Sequence, residues 1–220
     1  MNKQVAALVA ALMGLLVSCG IAQAHVTVHP NALPSGGFTV VNVNVPNERD
    51  KASTTKVDVQ FPSGIIFLST KPATGWSAKV IYRKLAKPVT VFGEQHTQEV
   101  DRVVWTGHGA AGRIRPGEFQ QFPVSISVPT KPKGTILTFK ALQTYSNGEI
   151  VRWIGAPSAD EPAPQVLVTG ANDAVEDYPG GITSAKKTRH MSSVEHGFVF
   201  GLPLLGAAAV AEALRRRRRS

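Results

Sequence analysis

The sequence predicts an all-β fold, arranged as one antiparallel β-sandwich over residues 25–169. No stretch of this region sustains the 3.6-residue spacing of apolar side chains that marks an amphipathic helix. Short runs rich in β-branched residues recur instead, and clusters of Pro, Gly, Asn and Ser separate them. The chain has 220 residues, of which 43% are hydrophobic and 18% charged, so it holds enough apolar material for the core of a single domain.

Successive runs of alternating or β-branched residues are each predicted to form a strand. In chain order these runs are His25–Val28, Phe38–Val45, Thr54–Gln60, Ala78–Tyr82, Asp101–Trp105, Gln121–Val128, Ile136–Tyr145, Glu149–Ile154 and Gln165–Val168. The clearest turn is Asn147-Gly148, a dipeptide typical of a two-residue hairpin. Many short strands at this spacing are typical of immunoglobulin-like and cupredoxin-like sandwiches.

Residues 1–24 are predicted to be a secretory signal peptide. Lys3 precedes an apolar run over residues 5–17, and the segment ends in Ala22-Gln23-Ala24. Cleavage after Ala24 would make His25 the first residue of the mature chain. A second cut stays open, because Leu16-Val17-Ser18-Cys19 resembles a lipobox in which a lipidated Cys19 becomes the N-terminus.

The other end of the chain predicts attachment to a membrane. Residues 170–197 are polar and are expected to form a linker. Residues 198–214 are almost wholly apolar, and five arginines, Arg215–Arg219, follow them. This order is typical of a stop-transfer segment, so residues 198–220 are predicted to be a membrane anchor on an extracytoplasmic protein of the periplasm or cell surface. An amphipathic or sorting tail is the alternative.

The charge and the cysteine content exclude several functions. The net charge of +9 includes the terminal arginines, and residues 25–197 contain 18 Lys and Arg against 14 Asp and Glu. That modest excess gives no reason to expect a nucleic-acid partner. The only cysteine is Cys19, in the predicted leader, so the body cannot form a disulfide, a cysteine zinc site or a blue-copper centre. A metal site in the body would have to use nitrogen and oxygen ligands.

A histidine at the mature N-terminus is such a ligand. An α-amine has a pKa of about 7.7, so at neutral pH a metal ion readily displaces the proton of its ammonium form. The amine and imidazole of His25 would then chelate one ion, an arrangement called a histidine brace. Cu(II) favours tetragonal nitrogen and oxygen ligation, and it has the highest affinity in the divalent series. His25 is therefore a predicted Cu(II) ligand.

Several short motifs in the body resemble the YcnI-like family. They are Ala24-His25-Val26-Thr27-Val28, Val45-Pro46-Asn47-Glu48, Gly75-Trp76, Trp105-Thr106-Gly107, Pro116-Gly117-Glu118-Phe119, Phe139-Lys140, Tyr145-Ser146-Asn147-Gly148, Val151-Arg152-Trp153-Ile154-Gly155-Ala156-Pro157 and Pro162-Ala163-Pro164. The resemblance implies an extracytoplasmic β-sandwich that binds Cu(II) through its N-terminal histidine. It also implies a glutamate and a tryptophan at the site, and the best-matching residues are Glu118 as a metal ligand and Trp153 as an aromatic face beside the ion.

The expected function is that of a copper chaperone or carrier in copper homeostasis, and not of an enzyme. Its expected partners are a copper ion and a membrane copper transporter or another copper chaperone. One alternative is a histidine-brace monooxygenase, which would need a second histidine such as His96 or His108. Another is a metal-free adhesion sandwich, in which Glu118 is a solvated turn residue and Trp153 belongs to the core. His29 cannot share one ion with His25 on a straight strand, because four residues span about 13 Å.

Overall fold

The computed structural model describes residues 25–178, and within this range every regular element is a β-strand. The strands are β1 (Thr27–His29), β2 (Ala32–Pro34), β3 (Phe38–Pro46), β4 (Thr54–Gln60), β5 (Leu68–Thr70), β6 (Trp76–Val91), β7 (Glu94–Gly107), β8 (Phe119–Ser127), β9 (Ile136–Thr138), β10 (Lys140–Tyr145), β11 (Ile150–Trp153) and β12 (Gln165–Thr169). The predicted all-β fold is confirmed.

The strands form three sheets. A four-stranded sheet has the order β1-β3-β8-β5, and a five-stranded sheet has the order β11-β10-β4-β7-β6. A small third sheet has the order β2-β12-β9, and its β2–β12 pair is parallel while the other pairs among these twelve strands are antiparallel. The core lies between the two larger sheets, where Trp105 of β7 stacks on Phe122 of β8 with ring centroids 4.9 Å apart.

The period-2 pattern of β3 shows why these segments form a sandwich. Val41, Val43 and Val45 are buried, whereas Asn42 and Asn44 between them point to the opposite face. Successive side chains of a strand alternate between the two faces of a sheet, so this spacing buries one face and leaves the other facing the solvent. The outer face of β3 therefore carries polar side chains, and one of them, Asn44, lies at the candidate site.

The structure departs from the predicted strands at three places. The strands predicted over Ala78–Tyr82 and Asp101–Trp105 are the middles of β6 and β7, which continue as a long hairpin. The three-residue strands β2 and β5 were not predicted, because they are too short to show a period. The single strand predicted over Ile136–Tyr145 is two strands, since the chain leaves the small sheet and enters the five-stranded sheet at the buried Phe139.

The hairpin predicted at Asn147-Gly148 is confirmed. Gly148 has a φ of 88°, a left-handed conformation that glycine adopts without a Cβ clash, and the Tyr145 main-chain N–H donates to the Glu149 carbonyl at 2.9 Å. This turn sets β10 against β11 with Gln143 opposite Val151 and Ala141 opposite Trp153. The hairpin thus brings Gln143 and Trp153 onto the same buried face of one sheet.

The first residues of the predicted linker contact the sandwich. Asp177 lies 2.6 Å from His29, measured from Oδ1 to Nδ1, and the Asn31 side chain donates to the Tyr178 carbonyl at 2.9 Å. Glu176 also forms a main-chain bridge with Ala32. The predicted leader, the rest of the linker and the predicted anchor lie outside the described residues. No helix among residues 25–178 is long and apolar enough to cross a membrane.

Candidate metal centre

His25 is held at one end of the sandwich by the start of β1. Val26 and Val28 are buried in the core, so the alternation of the chain turns His25 and Thr27 to the other side. β1 pairs with β3 so that Thr27 lies opposite Asn44, and the same register continued by two residues brings His25 level with Pro46. The imidazole is half-buried.

Trp153 lies against this histidine. The two ring centroids are 5.6 Å apart and the ring planes are inclined by 54°. Trp153 is the last residue of β11 and is only 4% exposed, so the core holds its indole ring in place. The structure therefore brings together His25 and the tryptophan predicted beside it, while Trp76 and Trp105 pack on Phe122 in the core, as expected of structural residues.

A buried glutamine fixes the orientation of the Trp153 indole. The indole Nε1–H of Trp153 donates to Gln143 Oε1 at 3.0 Å, and Gln143 is fully buried. Gln143 Nε2 in turn donates to the Pro46 carbonyl at 2.8 Å and to Thr54 Oγ1 at 2.7 Å. All the hydrogen-bonding atoms of this amide thus have partners, which is the condition for a stable buried polar group. Sequence reasoning missed Gln143, because an alternating pattern does not show which buried polar residues meet.

Glu118 lies on a tight turn next to the same end of the sandwich. Gly117 has a φ of 74°, and the Glu118 main-chain N–H donates to the Arg115 carbonyl at 3.0 Å. The Glu118 carboxylate accepts a hydrogen bond from the Arg115 main-chain N–H at 2.9 Å, and its side chain is 50% exposed. The other carboxylate oxygen, Oε1, lies 3.9 Å from Arg115 Nη1, and the half-exposed side chain remains accessible from the solvent.

Asn47 joins this turn to β3. Its main-chain N–H donates to the Glu118 carbonyl at 2.9 Å, and its own carbonyl accepts from the Gly117 N–H at 3.2 Å. The buried Asn47 side chain also donates to the carbonyls of Ala52 and Ile114, at 2.8 and 2.9 Å. These bonds hold the Glu118 turn at the end of β3, where His25 also lies.

A shallow depression of about 410 Å³ connects these parts. Its lining residues are His25, Asn44, Pro46, Asn47, Gly117, Glu118 and Phe119. The structure thus places the two predicted ligands, His25 and Glu118, on one depression. Trp153 is not part of this lining and reaches the site through its contact with the His25 ring.

The donor atoms around the depression are nitrogen and oxygen. Asn44 Oδ1 is buried without a hydrogen-bond partner among the described residues, so an acceptor oxygen is left over beside His25. Within residues 25–178, no three His, Cys, Asp or Glu side chains cluster at metal-binding distance. The His25 imidazole, the Glu118 carboxylate and Asn44 Oδ1 are among the side-chain donors around the depression. These donors suit Cu(II), which favours nitrogen and oxygen ligands.

A second carboxylate, Glu48, lies next to this depression. It directly follows the lining residue Asn47, it is exposed, and its charge helps raise the pKa of the neighbouring Arg49. The larger cause of that raised pKa is the hydrogen bond to Glu149, which Arg49 Nη2 reaches at 2.6 Å. Glu48 is not among the ligands predicted from the sequence, although it belongs to one of the quoted motifs, Val45-Pro46-Asn47-Glu48.

The other histidines of the described range lie elsewhere. His29 contacts Asp177, and His108 Nε2 lies 2.8 Å from Ser77 Oγ. His96, named above as a possible second ligand, is neither in a loop nor at the depression. It lies in β7 with its ring 4.8 Å from the Phe67 ring, and its Nε2 is buried without a hydrogen-bond partner among the described residues. His190 and His196 lie outside the described residues.

Fold and site together define an immunoglobulin-like β-sandwich with one histidine, a carboxylate and an aromatic ring at one end. The chain belongs to the family described as a domain of unknown function, DUF1775, whose model matches residues 25–168. This is the YcnI family that the sequence motifs indicate.

The chain is also similar to two known proteins. It is 29% identical over 164 residues to the copper-binding protein CutI of Bacillus subtilis (strain 168), covering 74% of this chain and 72% of that protein. It is 31% identical to an uncharacterized protein from Nocardia farcinica whose crystal structure has an immunoglobulin-like fold. That match has a TM-score of 0.52 and covers 66% of this chain and 98% of the other.

Proposed function

We propose that this protein is an exported Cu(II)-binding protein that holds the ion in a histidine brace at His25. The observation that carries the proposal is the position of His25, whose ring contacts Trp153 while it lines a depression shared with Glu118. The relationship to a protein named as copper-binding supports the choice of copper. In this proposal, cleavage after Ala24 frees the amine that completes the brace.

The surroundings of His25 support a binding role. Glu118 supplies a half-exposed carboxylate, and the depression is shallow and open enough for a partner protein to reach the ion. Trp153 covers one side of the imidazole and shields it from water. A site of this kind suits a chaperone or carrier, which must both hold copper and release it to a membrane transporter or another chaperone. In this proposal the protein lies outside the cytoplasm and is attached to the membrane through residues 198–220.

The monooxygenase alternative gains no support from the geometry. It needs a second histidine at the copper ion, and among the described residues the depression is lined by His25 alone of that residue type. His96 packs against Phe67, whereas His108 contacts Ser77. Neither is a lining residue of the depression.

Isothermal titration of Cu(II) into the processed chain tests the ligand set. We expect one equivalent to bind, His25→Ala to abolish the tight event, and His108→Ala, which removes an exposed histidine elsewhere, to leave it unchanged. Comparing Glu118→Gln with Glu48→Gln then identifies the carboxylate, because loss of the ligand lowers the affinity at least about tenfold. Tight binding by His25→Ala would contradict the proposal.

A further inference from the structure

Three aromatic residues meet at the end of the sandwich away from His25: Phe92 on the turn between β6 and β7, Phe38 at the start of β3, and Phe67 just before β5. Phe38 and Phe92 are 58% and 65% exposed, and their rings stack with centroids 5.1 Å apart. The Phe67 ring lies 5.9 Å from Phe38 and 6.3 Å from Phe92. We call these three residues the aromatic tip. Because they come from three separate segments of the chain, the fold assembles this apolar surface.

Phe92 is unfavourable in its backbone conformation as well as in its exposure to the solvent. Its φ is 51°, in the left-handed region that a bulky side chain rarely adopts, and Gly93 follows at 84°. Asn, Asp and Gly are the residues that such hairpin turns favour. Exposed apolar side chains and strained backbone conformations of this kind concentrate at interaction sites.

An apolar cleft of about 380 Å³ lies beside the aromatic tip. Leu85, Val89 and Phe92 form one side of it, and Val128 and Pro129 contribute to the other. β6 and β7 shift register between Lys84 and Val89, and such a bulge bends a hairpin. Apolar side chains are therefore exposed both on the aromatic tip and along the wall of the neighbouring cleft.

The nearby charges are mostly positive. Lys84, Lys87 and Lys131 are exposed, and none has a carboxylate partner in the part of the chain that the structure describes. Lys131 also lines the cleft. Two carboxylates oppose them: Glu94 on the turn itself, and Glu99, which lines the cleft and is paired with Arg83 at 2.7 Å. Basic side chains around exposed phenylalanine are typical of surfaces that bind anionic lipid headgroups and bury their apolar part in the acyl boundary.

We propose that the aromatic tip inserts into the surface of an anionic lipid bilayer, with the three lysines on the headgroups. A convex tip of this kind needs no matching cavity in a partner. β3 runs from Phe38 to Pro46, which lines the depression at His25, so the two ends are about 26 Å apart at the rise of a strand. Insertion of the tip leaves the His25 depression in water. This inference does not depend on copper binding.

The test uses the full chain with Cys19→Ser, an environment-sensitive fluorophore on Gln95→Cys beside the tip, and vesicles of phosphatidylcholine with or without phosphatidylglycerol. We expect a blue shift and quenching by spin-labelled acyl chains with anionic vesicles. The same fluorophore on Ser146→Cys, on the β10–β11 turn, should not respond. This control separates insertion of the tip from attachment through another segment.

Phe92→Asn is the decisive variant. Asn suits the left-handed φ, so this change removes the apolar side chain without straining the turn. We expect it to weaken insertion about tenfold, and Lys84→Gln with Lys87→Gln to weaken it only with anionic vesicles. Equal responses from both labels, no response, or an unchanged Phe92→Asn variant would overturn the proposal. A lipid-free response that grows with protein concentration would also overturn it, because it would assign the tip to a second copy of the chain.

Discussion

Gln143 is the residue on which the position of the Trp153 ring depends. Gln143→Leu removes the acceptor for the indole N–H and both hydrogen bonds donated by the amide, to the Pro46 carbonyl and to Thr54 Oγ1. Thr54 and the Trp153 indole N–H lie in the interior, where water cannot replace the lost bonds without opening the fold, whereas the Pro46 carbonyl is only part-buried. We expect this substitution both to destabilise the domain and to release the ring that contacts His25.

The size of the effect follows from the groups left unpaired. A buried donor or acceptor that loses its partner costs about 1–3 kcal/mol. The two fully buried groups, Thr54 Oγ1 and the Trp153 indole N–H, give a loss of roughly 2–6 kcal/mol, partly offset by the apolar leucine. That is a large share of a typical free energy of unfolding of about 5–15 kcal/mol. Gln121→Leu is the matched control, since Gln121 is exposed and a surface change of this kind shifts stability by less than about 0.5 kcal/mol.

Urea denaturation followed by circular dichroism measures both variants. A double-mutant cycle with Trp153→Phe then isolates the indole-to-amide bond, and we expect a coupling free energy of about 1 kcal/mol. If Gln143→Leu lowers the free energy of unfolding by less than about 1 kcal/mol, or if the effects of the two substitutions are additive, this hydrogen-bond network does not hold the Trp153 ring in place.

Three further predictions follow from other contacts. Cu(II) bound at His25 should quench the fluorescence of Trp153, so Trp153→Phe should lose most of the quenching that Trp76→Phe retains; equal quenching in both would place the ion elsewhere. Gly107→Ala should destabilise the domain by more than about 2 kcal/mol in thermal unfolding, because its Cβ would lie 1.8 Å from the Gly112 carbonyl oxygen; a smaller loss would show that this backbone moves easily. The hydrogen bond from a neighbouring arginine lowers the pKa of Asp101, so its contribution to stability is complete above the unfolded pKa of about 3.9 and is lost as the pH falls through the lower folded value. Urea unfolding at pH 7 and in the acid range should therefore show a smaller acid-dependent loss for Asp101→Asn than for the unaltered chain.

The strands that were predicted well are those with a clear alternation. β4 matches its predicted bounds, and β3 extends its predicted strand by one residue, because each buries one face over a regular run of valines. The strands predicted within β6 and β7 are too short, since their outer parts form a polar, exposed hairpin that shows no apolar period. The Phe92-Gly93 turn was not predicted, because phenylalanine is not a residue that such a turn favours.

The candidate site was predicted one residue at a time. His25 follows from the leader motif and its chemistry, whereas Glu118 and Trp153 came from the family resemblance. Gln143 and Trp153 are only 10 residues apart on one hairpin, but the alternating pattern does not show that their side chains bond to each other. Nothing in the local sequence joins Asn47 to the Glu118 turn, because that contact connects segments that are far apart in the chain. Contacts of this kind depend on sheet order, which a single sequence does not specify.

The free amine of His25 is the central claim, and blocking that amine tests it most directly. Two forms of the chain are compared in Cu(II) titrations with electron paramagnetic resonance: both begin at His25, but in the second the α-amine is acetylated. Acetylation keeps the imidazole, Glu118 and Trp153 but converts the amine into an amide and adds no new amine. The account predicts a one-equivalent tetragonal signal for the first form and an affinity at least about a hundredfold lower for the second. Equal affinity and identical spectra for the two forms would contradict the histidine brace.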